Sequence, residues 1–179
     1  VAAPYCAKSL ADLGAEVIKI EPPDMGDESR KRGPFPDDIP HPEKSALFLY
    51  LNTNKLSITL NLDSPTGKGI FKSILKDVDI FIEDCPPQTM NNLSLGYADL
   101  CGISPRLIMV SITPFGQTGP HADYKAYPLN LIHSGMLGYM TPWVSRWLDR
   151  EPIQPGGLLG EYGSGLSAAT ATLAALYVQ

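Results

Sequence analysis

Residues 3 to 21 constrain the fold more than any other stretch of the chain. They read Ala3-Pro4-Tyr5-Cys6, then Leu10-Ala11-Asp12-Leu13-Gly14-Ala15, then Glu16-Val17-Ile18-Lys19-Ile20-Glu21. Proline suits the first turn of a helix, where no backbone N–H is needed. Leu10 and Leu13 are three apart and share a helix face. Gly14 takes the left-handed conformation that ends a helix at no steric cost. Val17, Ile18 and Ile20 form a short β-branched run interrupted only by Lys19, the pattern of a strand covered on both faces, as in a parallel sheet. A helix beginning near Pro4 therefore hands over at once to a buried strand. This helix-to-strand step of an α/β fold has no strand in front of it, so the chain reads as beginning in the middle of a unit.

The rest of the chain repeats the alternation. Ser45 to Leu51 reads as a short helix and Asn52-Thr53-Asn54-Lys55 as a turn. Ser57 to Leu62 reads as a strand with Ile58, Leu60 and Leu62 alternating. Ser64-Pro65-Thr66-Gly67 caps a helix running to Lys76, with Ile70, Phe71, Ile74 and Leu75 on one face. Asp79 to Glu83 and Leu107 to Ile112 are further strands. Short helical pieces are expected over Pro86–Leu93, Tyr97–Cys101 and Tyr127–His133, and an Ala-rich helix over Leu166–Tyr177. Glu21 to Glu43 is a Pro/Gly-rich connection of about 20 residues, a length at which loops are commonly functional or disordered. Thr141 to Gly157 reads as irregular and holds Trp143 and Trp147. Strands alternating with helices predict a parallel sheet with helices on both faces, a Rossmann-like α/β fold.

Composition excludes several function classes. The chain has 179 residues, 44% hydrophobic and 18% charged, with a net charge of -5. That charge argues against a nucleic-acid partner. No apolar run reaches the roughly 18 residues of a membrane-spanning helix, so no membrane partner is expected. Cys6, Cys85 and Cys101 are widely spaced, which predicts a reducing, cytoplasmic setting and no zinc site. His41, His121 and His133 show no ligand spacing, so metal catalysis is not expected. Open α/β sheets bind ligands beyond the carboxyl ends of their strands. That rule selects Glu21-Pro22-Pro23, Glu83-Asp84-Cys85-Pro86-Pro87 and Thr113-Pro114-Phe115-Gly116. No Gly-x-Gly-x-x-Gly or P-loop follows any of these strands.

An ordered set of motifs then resembles the family III coenzyme A transferases, the formyl-CoA transferase and carnitine CoA-transferase (CaiB/BaiF-like) group. The set comprises Leu10 to Glu21, Gly26-Asp27 with Arg30 and Gly33-Pro34, and Asn52-Thr53-Asn54-Lys55-Leu56-Ser57. It continues with Asp79-Ile80-Phe81-Ile82-Glu83, Leu95-Gly96-Tyr97, Ser111 to Pro120, and Gly160-Glu161-Tyr162. The likeness runs across essentially the whole chain. It implies that residues 1–179 are part of a Rossmann-like, CoA-binding large domain, truncated at both ends. The smaller domain and the C-terminal return would lie outside this chain. It also implies an interlocked homodimer, with acyl-CoA and a carboxylic acid acceptor as substrates and no permanently bound cofactor.

The resemblance assigns roles residue by residue. Glu161 matches the family's carboxylate nucleophile, which is usually aspartate; glutamate keeps the carboxylate and adds one methylene, and an acidic residue favoured by the dipole near a helix N-terminus is the alternative reading. Val1, Ala2 and Ala3 match the loop that lies along CoA, with Val1 at a position where glutamine is frequent. Leu60 matches an apolar contact to the adenine. Lys125 and Tyr127 match CoA contacts. Asp84 and Cys85 replace a more usual Asn-Phe pair, and Asn92 stands where an arginine commonly meets phosphate. Asparagine lacks the paired charged donors of arginine. Arg30, with Lys31 and Arg32, is a candidate substitute phosphate contact, and a solvated charge run is the alternative reading.

Other readings stay open on these residues. A 2-methylacyl-CoA racemase of the same superfamily resembles the chain at Glu161-Tyr162-Gly163, although its histidine base is replaced here by Ala126. A catalytically silent CoA-binding half of a tandem protein fits the altered nucleophile, and a plain nucleotide-binding or scaffold module fits the fold alone. Cys85 reads as a packing thiol more readily than a reactive one, His133 as a core histidine, and Trp143 and Trp147 as loop packing or acyl-pocket lining.

Overall fold

The computed structural model describes residues 1–141, 149 and 151–179, so Trp143, Trp147 and much of the irregular segment around them lie outside the described residues. The elements follow the expected alternation: α1 (Ala2–Asp12), β1 (Ile18–Glu21), α2 (Ala46–Leu51), β2 (Leu56–Thr59), α3 (Pro65–Ile74), β3 (Ile80–Glu83), α4 (Thr89–Asn92), α5 (Tyr97–Cys101), β4 (Ile108–Ser111), α6 (Pro128–Ser134) and α7 (Leu159–Val178). Two 3₁₀ turns, Glu28–Lys31 and Pro36–Asp38, give the long connection after β1 a defined path.

Local chemistry accounts for most boundaries. Ser45 and Ser64 cap α2 and α3, their hydroxyls accepting from Phe48 N and Gly67 N at 3.1 and 3.0 Å. Pro65 opens α3 where its missing N–H is not needed. Gly14, at φ 104°, lets the chain turn from α1 toward β1. Several elements differ from expectation: α4 spans only Thr89–Asn92, and β2 ends at Thr59 rather than Leu62. Helix α1 starts at Ala2 rather than near Pro4, so Ala2 and Ala3 sit in its first turn with Val1 as N-cap. Helix α7 starts at Leu159, well before Leu166, despite Gly160, Gly163 and Gly165. Phe71 on α3 and Leu75 just after its end are buried as expected, whereas Ile70 is 45% exposed and lies off the core face.

All strand pairing is parallel. Ile18 lies opposite Leu56 in the β1–β2 pair, and Ile80 opposite Ile108 in the β3–β4 pair. A single sheet is the simplest expectation; among the described residues the strands form two pairs, β1 bonding only to β2 and β3 only to β4. Successive strand residues point to opposite faces. Phe81 of β3 therefore enters one core, with Phe71, Leu75, Met90, Leu95, Leu100 and Leu107, and Ile20 of β1 packs on the same core. Its neighbour Ile82 enters a second core on the other face, with Cys6, Leu10 and Ala169. Helices thus cover both faces, α3 to α5 on one and α1 with α7 on the other. Leu95 and Leu100 are fully buried, worth about 1.5–3 kcal/mol each.

The α1–α7 contact sets the geometry that matters for function. Gly165 lies against Ala2 and Cys6, while Ala169 shares the cluster of Cys6 and Leu10, so the two helices run in the same direction. Ala2, at the start of α1, is level with Gly165, one turn after Glu161 on α7. The Val1 nitrogen is 3.9 Å from the Asp84 carboxylate, so the start of α1 sits at the carboxyl end of β3.

Candidate active site

The start of α1 lies at a strand's carboxyl end, and the first turn of the neighbouring α7 carries a carboxylate. Glu161 stands in the first turn of α7, where unpaired backbone N–H groups and the helix dipole favour negative charge. It is half-buried and accepts no side-chain hydrogen bond among the described residues. Gly165, one turn further on, explains how close α1 comes. A Cβ at Gly165 would lie 2.6 Å from the Ala2 carbonyl oxygen and 3.2 Å from Cys6 N. Only glycine permits this approach, which packs Ala2 against α7 one turn after Glu161.

Three tyrosines close the angle between α1, α2 and α7. The Tyr162 ring is 4.8 Å from Tyr5 and 6.2 Å from Tyr50, both edge-on, and Tyr5 and Tyr50 stack at 6.5 Å. Burial pushes the Tyr162 hydroxyl pKa up, with smaller contributions from Tyr50, Tyr5 and the charge of Glu161. The phenol is therefore a neutral neighbour of the carboxylate. Sequence reading does not bring these rings together, because the residues lie on three helices far apart in the chain.

The other predicted contacts differ in burial and packing. Helix α6 reaches the first turn of α7 through Ile132, whose Cγ1 would be 3.8 Å from a Cβ at Gly160. Tyr127 caps the start of α6 and is 68% exposed, and Lys125 just before it is also exposed. Asp84 is exposed beside Val1. Leu60 is half-buried and packs onto the Phe71–Leu107 core. Cys85 packs on that core too, and its thiol is pushed up to about 11, first by burial and then by Glu83 and Asp84. That environment suits a packing thiol and not a thiolate.

Arg30 is committed elsewhere. Its Nε and a terminal nitrogen donate to both Glu21 oxygens at 2.8 and 3.0 Å, and the other terminal nitrogen donates to Glu43 at 2.8 Å. The guanidinium also lies over the Phe48 ring at 3.6 Å. Glu21 is 4% exposed at the end of β1, and the Arg30 hydrogen bond holds its carboxyl below the usual range. This clamp folds the long connection back onto the sheet. Lys19 and Asp27 pair alongside it.

A cleft of about 380 Å³ opens at the ends of β3 and β4, lined by Glu83, Gln88, Asn91, Tyr97, Ser111 and Gln117 among others. Glu83 accepts from Cys85 N at 2.7 Å and from the Gln117 amide at 3.4 Å. Two residues after Ser111, the Thr113 hydroxyl oxygen is buried without a hydrogen-bond partner among the described residues. This polar recess agrees with the strand-end rule. It lies on the α4–α5 side, because Glu83 shares its strand face with Phe81.

Comparison with known proteins is decisive about kinship. The family model described as CoA-transferase family III matches residues 1–179. The chain belongs to CoA-transferase family III. Among its relatives, the mouse succinyl-CoA:glutarate CoA-transferase is 38% identical over 98% of this chain and 38% of its own length. The Acetobacter aceti acetyl-CoA:oxalate CoA-transferase is 37% identical over 98% of this chain and 43% of its own. The Rhodopseudomonas palustris formyl-CoA:oxalate CoA-transferase is 33% identical over 97% and 39%. A crystal structure of a CaiB/BaiF family protein from Brucella suis superposes with a TM-score of 0.85 at 32% identity, covering 99% of this chain and 46% of that one. The chain thus spans less than half the length of these relatives. The Rossmann-like α/β reading agrees with that family's structure.

Proposed function

We propose that this chain supplies the CoA-binding, nucleophile-bearing part of a CoA-transferase that moves coenzyme A between carboxylic acids. The observation that supports the reading is the parallel packing of α1 on α7, in which Gly165, one turn after Glu161, lies against Ala2, with Val1 near Asp84 at the end of β3. A Glu161 oxygen attacks the acyl-CoA carbonyl, the C–S bond breaks, and a mixed anhydride forms with CoA thiolate released. The thiolate attacks the Glu161 carbonyl of the anhydride, expelling the donor carboxylate and leaving a glutamyl-CoA thioester. The acceptor carboxylate then repeats the two steps in reverse order, leaving as acyl-CoA and restoring the Glu161 carboxylate. The unpaired N–H groups at the start of α7 favour the charge that develops there.

CoA lies along Val1, Ala2 and Ala3, with Leu60, Asp84, Cys85, Lys125 and Tyr127 beside it. Lys125 is the exposed cation closest in sequence to the α6 cap. Arg30 contributes to the phosphate site only by exchanging a partner, since Glu21 and Glu43 now hold its donors. Residues 1–179 act as the large-domain portion, and the protein works as a homodimer at its full natural length. Racemisation needs a base that Ala126 does not provide.

The test is transfer from succinyl-CoA to a panel of carboxylic acids, measured on the protein at its full natural length. Glu161→Gln should lower turnover by roughly 10⁴-fold or more while CoA still binds. Transfer that persists in this variant would remove Glu161 from the chemistry. Solvent α-proton exchange into the acyl group without transfer would instead identify an isomerase.

A further inference from the structure

The turn Asn52-Thr53-Asn54-Lys55 ends in a side chain that the chemistry above does not use. Lys55 stands just before β2, and its amine is turned into the protein against α1 and α2. It donates to the Pro4 carbonyl at 2.7 Å, the Leu51 carbonyl at 2.7 Å and the Asn52 side-chain oxygen at 3.0 Å. An ammonium has three donors, and here each has an acceptor. Two acceptors belong to the C-terminal end of α2, whose last carbonyls lack helical partners and attract a cation. The third, Pro4, is in the first turn of α1, three residues after Val1. The same turn is fastened lower on α1, where Asn54 donates to Asp12 at 2.9 Å and Lys8 donates to Thr53 at 2.9 Å.

We propose that Lys55 is a positioning residue for coenzyme A. Its ammonium ties the first turn of α1 to the end of α2 and so fixes Val1–Ala3 in the pose that the CoA chain requires. The proposal rests on the CoA-transferase reading of the preceding subsection. Its geometry has a pH signature. Burial, followed by the charge of Lys19, lowers the Lys55 pKa to about 8. The groups that face it are Cys6, Lys8 and Asp12 on α1, Lys19 on β1 and Asp27 in the connection after β1. A neutral amine keeps two N–H donors for three acceptors. The three-point tether is therefore present below pH 8 and loses one point as pH rises through that value.

The experiment measures CoA affinity by calorimetry between pH 6.5 and 9.5 for wild type and Lys55→Met, on the protein at its full natural length. Backbone hydrogen exchange of Tyr5 to Lys8, normalised to β3, is followed in parallel. Wild type should hold a constant affinity up to neutral pH and weaken about tenfold by pH 9.5, the effect of one charged hydrogen bond. Lys55→Met should show the weakened affinity at every pH, with a flat profile and faster exchange in Tyr5 to Lys8. If the variant does not fold, the wild-type profile and its exchange above and below pH 8 decide alone. A purely structural lysine would lower the melting temperature and leave the affinity profile unchanged, which overturns the proposal. Unchanged exchange overturns it as well. A wild type that binds no CoA at any pH removes the transferase reading and this proposal together, whereas normal CoA binding with identical profiles removes this proposal only.

Discussion

The closeness of α1 to α7 makes a quantitative prediction at two glycines on the same helix. An alanine at Gly165 places its Cβ 2.6 Å from the Ala2 carbonyl oxygen, 3.1 Å from the Tyr5 ring and 3.2 Å from Cys6 N. Two of those neighbours are backbone, so relief requires moving α1 as a body by a few tenths of an ångström or more. Overpacking of this kind costs about 1–3 kcal/mol. Alanine in a helix gains about 1 kcal/mol over glycine. At Gly163 that gain stands alone, because nothing among the described residues lies within 4 Å of a Cβ there. Gly163→Ala should therefore stabilise the protein while Gly165→Ala does not. The gap between the two isolates the clash at about 1–3 kcal/mol, or roughly 3–9 °C in melting temperature for a domain of this size. Paired thermal and urea denaturation of both variants measures it. Gly165→Ala should also weaken CoA transfer, since a shift of about 1 Å between reacting groups costs on the order of 100-fold. Equal melting temperatures for the two variants would refute the reasoning.

Two further outcomes follow from the clamp after β1. Arg30→Ala leaves Glu21 charged and nearly buried, and denaturation should show a loss of about 3–5 kcal/mol; Arg30→Lys should rescue only part of it, because an ammonium cannot reproduce the paired contact. Asp27, held at about 2 against the pull of its burial by hydrogen bonds from Lys19 and Ser29, contributes stability that is fully present above about pH 4 and lost as pH falls toward 2. Asp27→Asn should cost up to about 2 kcal/mol at pH 6 and progressively less below pH 4, read from acid-dependent urea midpoints.

The strands were legible because their β-branched runs are short and bounded by turn residues. Ser45 and Ser64 announced their helices for the same reason they cap them. The start of α7 was not legible. The Ala-rich pattern begins at Leu166, and the glycines at 160, 163 and 165 lie before it; only the packing of Gly165 on Ala2 explains why a helix tolerates it there. Ile70 followed the helical period of its neighbours, yet its position on α3 falls just beyond the core stripe. The partition into β1–β2 and β3–β4 depends on pairing partners that no local pattern encodes. The Glu161 position was visible through a family motif, while its tyrosine neighbours were not, since their contacts join helices remote in sequence. Arg30 read as part of a basic cluster, and the turn that aims it at Glu21 depends on the fold of the whole connection.

The role of Glu161 is tested most directly by trapping its acyl-CoA adduct. The protein at its full natural length is incubated with succinyl-CoA, quenched with hydroxylamine and mapped by peptide mass. A glutamyl hydroxamate at Glu161, absent in Glu161→Gln and absent without acyl-CoA, is the predicted result. Turnover with no modification at Glu161, or with the hydroxamate on another carboxylate, would contradict it.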